Sequence, residues 1–172
     1  NGAALMFCLV LVMAQRPRQV HQHGRIYLRA GQDLQAALRS AKFGDTIVLE
    51  AGATFIGPIV LPFKAGPGDY ITIRTSNLGG ISNEDERIKP LSHERGMPKI
   101  IAPPNKAALV TEPGAHHYKF VGVEFSTTSV GYVVNVIDLG SPDYKSYSEF
   151  PHHLIFDRCY VHSTGLNRAR RG

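Results

Sequence analysis

Tryptophan is absent from this 172-residue chain, and cysteine occurs only twice. Without Trp, the strongest ring platform for stacking on a sugar is missing. Cys8 lies in an N-terminal apolar run, and with that run removed Cys159 stands alone, so no disulfide framework can form. A single thiol at an inward strand position reads as a small core hydrophobe rather than a nucleophile. No Gly-rich phosphate loop, nucleophile elbow or dinucleotide-binding fingerprint is present in the sequence. No apolar stretch reaches the roughly 20 residues that a membrane-spanning helix needs.

What the chain does have is a motif that occurs twice, at positions 116–125 and 152–161. The first copy reads HHYKFVGVEF and the second HHLIFDRCYV. Apolar side chains fall at matching offsets: Tyr118 with Leu154, Phe120 with Phe156, Val123 with Cys159, and Phe125 with Val161. The pattern predicts two short strands joined by a two-residue corner, Val121-Gly122 in one copy and Asp157-Arg158 in the other, with one face of each strand inward. A unit this small cannot bury its face alone, so the units must stack on one another, as they do in a solenoid.

Residues 3–14 are uncharged and apolar. They read as the core of a secretory signal, with Val12-Met13-Ala14 as a small-x-small cleavage site. The expected organisation is a signal remnant over 1–14, a polar linker over 15–24, and one domain over 25–172. Asn1 in place of an initiator Met, and the lack of a terminating element before Gly172, lead to the expectation of a fragment of a longer protein. The formal charge of +5 is unevenly placed. Between residues 30 and 165 there are 12 Lys and Arg against 14 acidic residues, and the excess lies in Arg16, Arg18, Arg25, Arg29, Arg168, Arg170 and Arg171. Basic ends on a secreted chain suit an anionic polysaccharide or a membrane surface at least as well as nucleic acid.

One short amphipathic helix is predicted, with Asp33 as N-cap, Leu34, Ala37, Leu38 and Ala41 on its apolar face, and Gly44 at its C-terminal stop. Short β-branched strands follow, separated by Pro, Gly and Asn, at 45–49, 55–61, 70–74, 99–102, 108–111, 118–125, 133–137 and 154–162. Longer polar insertions interrupt them at 76–98 and 140–151. A β-sandwich would also be built of short strands with turns between them.

The passages AGQDLQAAL (30–38), GDTIVL (44–49) and AGATF (51–55) resemble the opening of right-handed parallel β-helix proteins of the pectin-lyase-like superfamily. The resemblance covers residues 25–165. It implies an all-β fold, a right-handed parallel β-helix with a short N-terminal capping α-helix. It further implies a secreted or periplasmic, monomeric, carbohydrate-active protein: a polysaccharide lyase or hydrolase acting on an acidic polysaccharide, or a non-catalytic glycan-binding member of the same fold. No nucleic-acid partner and no membrane span are expected. Because the superfamily hosts several chemistries, fold alone does not decide the activity.

Cleaving an acidic glycan by β-elimination needs a base near the carbon beside the carboxylate, and a cation for the charge that develops there. The resemblance implies Arg or Lys as base, often beside Ca²⁺ held by carboxylates. Arg158, His162 and Asp157 are the candidate catalytic residues, and the plain alternative is a solvated corner next to a surface histidine. Tyr144, Lys145 and Tyr147 in the second insertion, with Arg168, are candidate substrate contacts, although such aromatics also pin loops to a wall. The acidic stretch 83–86 lacks calcium-loop spacing. No metal site is expected at the His pairs: side chains of neighbouring strand residues point to opposite faces, so His116 over His152 gives two ligands at most.

Overall fold

The computed structural model describes residues 23–81, 96–127, 131–163 and 167–171, the last five and residues 131–134 by backbone path alone. The expected signal segment and the acidic stretch 83–86 lie outside the described residues. Strand β1 (Arg25–Leu28) leads into helix α1 (Leu34–Ser40), and strands then follow in rounds. The first round is β2 (Thr46–Leu49), β3 (Thr54–Ile56) and β4 (Ile59–Leu61), and the second is β5 (Ile71–Thr75), β6 (Lys99–Ala102) and β7 (Leu109–Thr111). The third is β8 (His116–Val121), β9 (Glu124–Thr127), β10 (Gly131–Asn135) and β11 (Ile137–Asp138), and the last is β12 (His152–Asp157), β13 (Tyr160–Val161) and β14 (Asn167–Arg171).

All four rounds place a strand in the first sheet and then the second, the first three also place one in the third, and the last two add a strand to a separate pair. The first sheet runs β1-β2-β5-β8-β12, the second β3-β6-β9-β13, the third β4-β7-β11, and β10 pairs with β14. The pairings are parallel throughout the described residues. This parallel pairing sets aside the β-sandwich, whose sheets are antiparallel. The chain is mostly β, and α1 is the single α-helix among the described residues.

Register explains the core. On the first sheet Ile26, Ile47, Ile73, Phe120 and Phe156 form one inward ladder. Phe55, Ile100, Phe125 and Val161 form another on the second sheet, and Ile59, Leu109 and Ile137 a third. These residues share one continuous apolar cluster. The two motif copies pair at the offset read from the sequence, His116 opposite His152 and Phe125 opposite Val161. Gly122 makes the corner possible: its φ is +65°, and a β-carbon there would lie 2.0 Å from the Ile81 side chain.

Helix α1 begins as expected, with the Asp33 carboxylate accepting from the Ala36 N–H at 2.9 Å. It buries Leu34, Ala37 and Leu38. Its Gln35 amide donates to the Val60 carbonyl at 2.9 Å and accepts from the Val60 N–H at 2.8 Å, so the helix satisfies the backbone of edge strand β4. Covering an open edge in this way prevents another chain from pairing there.

Three local expectations are corrected. Gly44 does not end the helix, because Ala41 is already the C-cap and Gly44 serves a later left-handed turn at φ +87°. The predicted strand 55–61 is two strands, broken at Gly57-Pro58, where proline supplies no N–H for a ladder. The predicted strand 133–137 is likewise divided into β10 and β11.

Candidate functional site

Alternation on the second sheet sends Ile100, Phe125 and Val161 inward, and therefore sends Lys99, Glu124 and Tyr160, which are in register, to the outer face. Glu124 is nevertheless only 3% exposed. One of its oxygens accepts from Lys99 Nζ at 2.5 Å, and the other lies 3.0 Å from His162 Nε2. The His162 N–H donates to the Phe125 carbonyl at 3.0 Å, which extends the ladder one residue past β13 and fixes the ring's origin. The ring stacks on Tyr160 with centroids 4.2 Å apart. Its second nitrogen, Nδ1, faces the Ser163 carbonyl at 3.2 Å. Lys99, Glu124, Tyr160 and His162 thus form a packed group with one buried carboxylate between an ammonium and an imidazole.

At the same corner, where the first sheet gives way to the second, Arg158 adopts a left-handed backbone at φ +50°. Its guanidinium donates to both Asp157 oxygens, at 2.9 and 3.1 Å. Lys119 approaches the same carboxylate at 3.7 Å. The hydrogen bond from Arg158 holds the Asp157 carboxyl below the usual carboxylate range; burial opposes this, and the charges of Arg158 and Lys119 reinforce it. Asp157 therefore takes up a proton less readily in the native state than in the unfolded chain. The stability it contributes is present above about pH 4 and is lost as pH falls through the lower native value. Thermal unfolding followed from about pH 6 down to about pH 2.5 is expected to show a shallower acid decline in Asp157→Asn than in the parent; equal slopes would show that this pair does not contribute. Cys159 turns inward, and burial pushes its thiol up to about 12, so it does not act as a nucleophile at neutral pH.

The structure sets the three loop candidates apart from this corner. Tyr144, Lys145 and Tyr147 precede β12, whereas Asp157 ends it, and five strand steps put about 17 Å between the two ends of that strand. The loop is internally ordered. The Glu149 carboxylate accepts from the Lys145 and Ser146 N–H groups, at 2.5 and 3.3 Å, and the Gly114 N–H donates to the Glu149 carbonyl at 2.7 Å. Tyr144 and Tyr147 pack around Phe150 with centroids 5.6 and 6.4 Å from it, and Tyr147 remains 93% exposed. Arg168 lies in β14, its backbone paired with Tyr132.

The four histidines contradict the alternation argument. His117 and His153 have φ of +58° and +52°, which swings each ring back toward its neighbour. His116 Nδ1 and His117 Nδ1 are 2.7 Å apart, and His152 Nδ1 and His153 Nδ1 are 2.6 Å apart. Pairing of β8 with β12 then stacks His116 on His152 at 4.9 Å and His117 on His153 at 4.4 Å, with planes within 4° and 10° of parallel. Burial first, and then the charges of neighbouring histidines, lower the pKa of His117 and His152 below the ordinary value.

Calcium does not fit the corner. Asp157 is taken up by Arg158 and Lys119 and Glu124 by Lys99 and His162, and among the described residues the one convergent set of three metal-ligating side chains is histidine alone.

No protein-family model and no curated protein sequence matches the chain. Among solved structures it is similar to the alginate lyase from Paenibacillus sp. str. FPU-7, with a TM-score of 0.43 and 19% identity over 86% of this chain. The chain spans 43% of that protein's length. No helix among the described residues is long and apolar enough to cross a membrane.

Proposed function

We propose that the chain winds as a right-handed parallel β-helix of the pectin-lyase-like class, is exported, and acts on an acidic polysaccharide at the corner formed by Lys99, Glu124, Tyr160, His162 and Arg158. The handedness follows from the near-universal right-handed sense of crossovers between parallel strands of one sheet. The observation that carries the functional reading is the buried Glu124 held between Lys99 and His162 on an outer sheet face. A carboxylate so placed fixes the Lys99 ammonium where a polyanionic chain would lie, and orients the His162 imidazole as an acid–base group requires.

In β-elimination a base takes the proton from the carbon beside the uronate carboxylate, the freed electron pair forms a carbon–carbon double bond, and the glycosidic C–O bond breaks. The departing oxygen then takes a proton. Lys99 and Arg158 meet the carboxylate and its developing charge, and a neutral His162, its Nε2–H donated to Glu124, takes the carbon's proton on Nδ1 and passes it to the departing oxygen. One observation favours a second reading, in which the corner binds glycan without turnover: Asp157 and Arg158 close on each other, and Glu124 already occupies both of its oxygens. Incubation with a panel of uronic-acid polysaccharides separates the two. Ultraviolet absorbance from an unsaturated sugar supports cleavage, and saturable binding with neither absorbance nor new reducing ends supports the binding module. Neither turnover nor binding across the panel would overturn the proposal.

A further inference from the structure

We propose that the histidine ladder at the start of β8 and β12 is a site for a divalent transition-metal ion, with His117, His152 and His153 as ligands. The ladder lies at the far end of β12 from the Lys99–Glu124–His162 corner, and the inference does not rest on the glycan reading.

Convergence is the first argument. One ring nitrogen from each of the three histidines lies within 4.8 Å of the other two. Ligand nitrogens about 2.0–2.1 Å from a tetrahedral or square-planar ion stand about 3–4 Å apart, so small ring rotations close the cage. The second argument is the backbone. A non-glycine residue with positive φ is uncommon, and here two histidines adopt it at adjacent rungs. That conformation brings together rings that a regular strand would send to opposite faces. Strain of this kind persists where the surroundings impose it, and it concentrates at functional sites.

The surroundings suit a cation held by neutral nitrogen. Phe43 stacks on His116 at 5.2 Å, Phe63 meets the same ring at 6.0 Å, and Tyr70 leans on His117 at 5.3 Å, forming an aromatic wall behind the ladder. His116, 8% exposed, holds His117 through the Nδ1 contact and acts as a positioning residue. His152 and His153 are exposed, which leaves an entry from solvent. The close Nδ1 pairs can each hold one proton between two nitrogens. Three imidazoles with no carboxylate or thiolate among the ligands select zinc, copper, nickel or cobalt over calcium and magnesium.

The test is calorimetric titration of the untagged, chelator-treated chain with zinc and nickel salts near neutral pH. One ion per chain is expected, with no response to calcium or magnesium. His117→Asn and His153→Asn keep a residue type that tolerates positive φ and are expected to weaken binding at least tenfold at unchanged melting temperature. One equivalent of copper should give an electron spin resonance spectrum split by several nitrogens. No binding by the parent, unaltered binding in both variants, or loss of binding in a His21→Ala/His23→Ala control instead would overturn the proposal.

Discussion

Phe120→Ala is expected to lower the unfolding free energy by about 3–5 kcal/mol, the largest single effect in the molecule. The ring is 1% exposed. It stacks on Phe156 at 5.4 Å in the next round and meets the edge of Phe125 at 5.3 Å across the corner, so one truncation opens a cavity touching both sheets and two rounds. Stacked units share their core with their nearest neighbours, and a hole between two rounds weakens both. Urea unfolding measures the loss. A change under about 1 kcal/mol would mean that this ladder is not packed as described.

Glu124→Ala is the second large effect, a loss of about 2 kcal/mol. Removing one partner of a buried ion pair costs about 3–5 kcal/mol when the remaining charge has no access to water. Here Lys99 and His162 are 31% and 26% exposed at their side chains, and solvent takes up part of that cost. Glu124→Gln keeps the volume and one acceptor and is expected to lose about half as much. Thermal unfolding of the two variants in parallel distinguishes charge from shape: equal losses would show that the carboxylate's charge does not matter.

These two positions also mark what could be read from sequence. Phe120 and Phe156 were legible because the apolar offsets of the two motif copies repeat, and inward ladders are built from matching offsets. The helix start was legible in Asp33, whose carboxylate has few local partners other than the first-turn N–H groups. Glu124 was not legible. Its neighbours Lys99 and His162 lie 25 residues before it and 38 after it, and only the parallel register brings the three together. The alignment of Glu124 with Tyr160 at the motif offset was an available signal, but an outward carboxylate reads as solvated until its burial is known. Asp157 and Arg158 stand out in the sequence because they occupy the corner of the second motif copy. Tyr144, Lys145 and Tyr147 stand out because their insertion mixes aromatic and charged side chains, and the length of β12 sets them apart from that corner. The histidine ladder was misread for a definite reason: alternation holds for extended backbone, and His117 and His153 are left-handed. Nothing in a His-His dipeptide announces that choice.

The central claim is that the Lys99–Glu124–His162 corner receives a polyanionic sugar chain. Affinity for a uronic-acid oligosaccharide, measured for the parent and for Lys99→Met/His162→Phe, tests it most directly. The account predicts saturable binding by the parent, weakened at least tenfold in the variant and by added salt, since one charged contact is worth about 1–3 kcal/mol. Equal affinity in the two proteins, both folded, would contradict it.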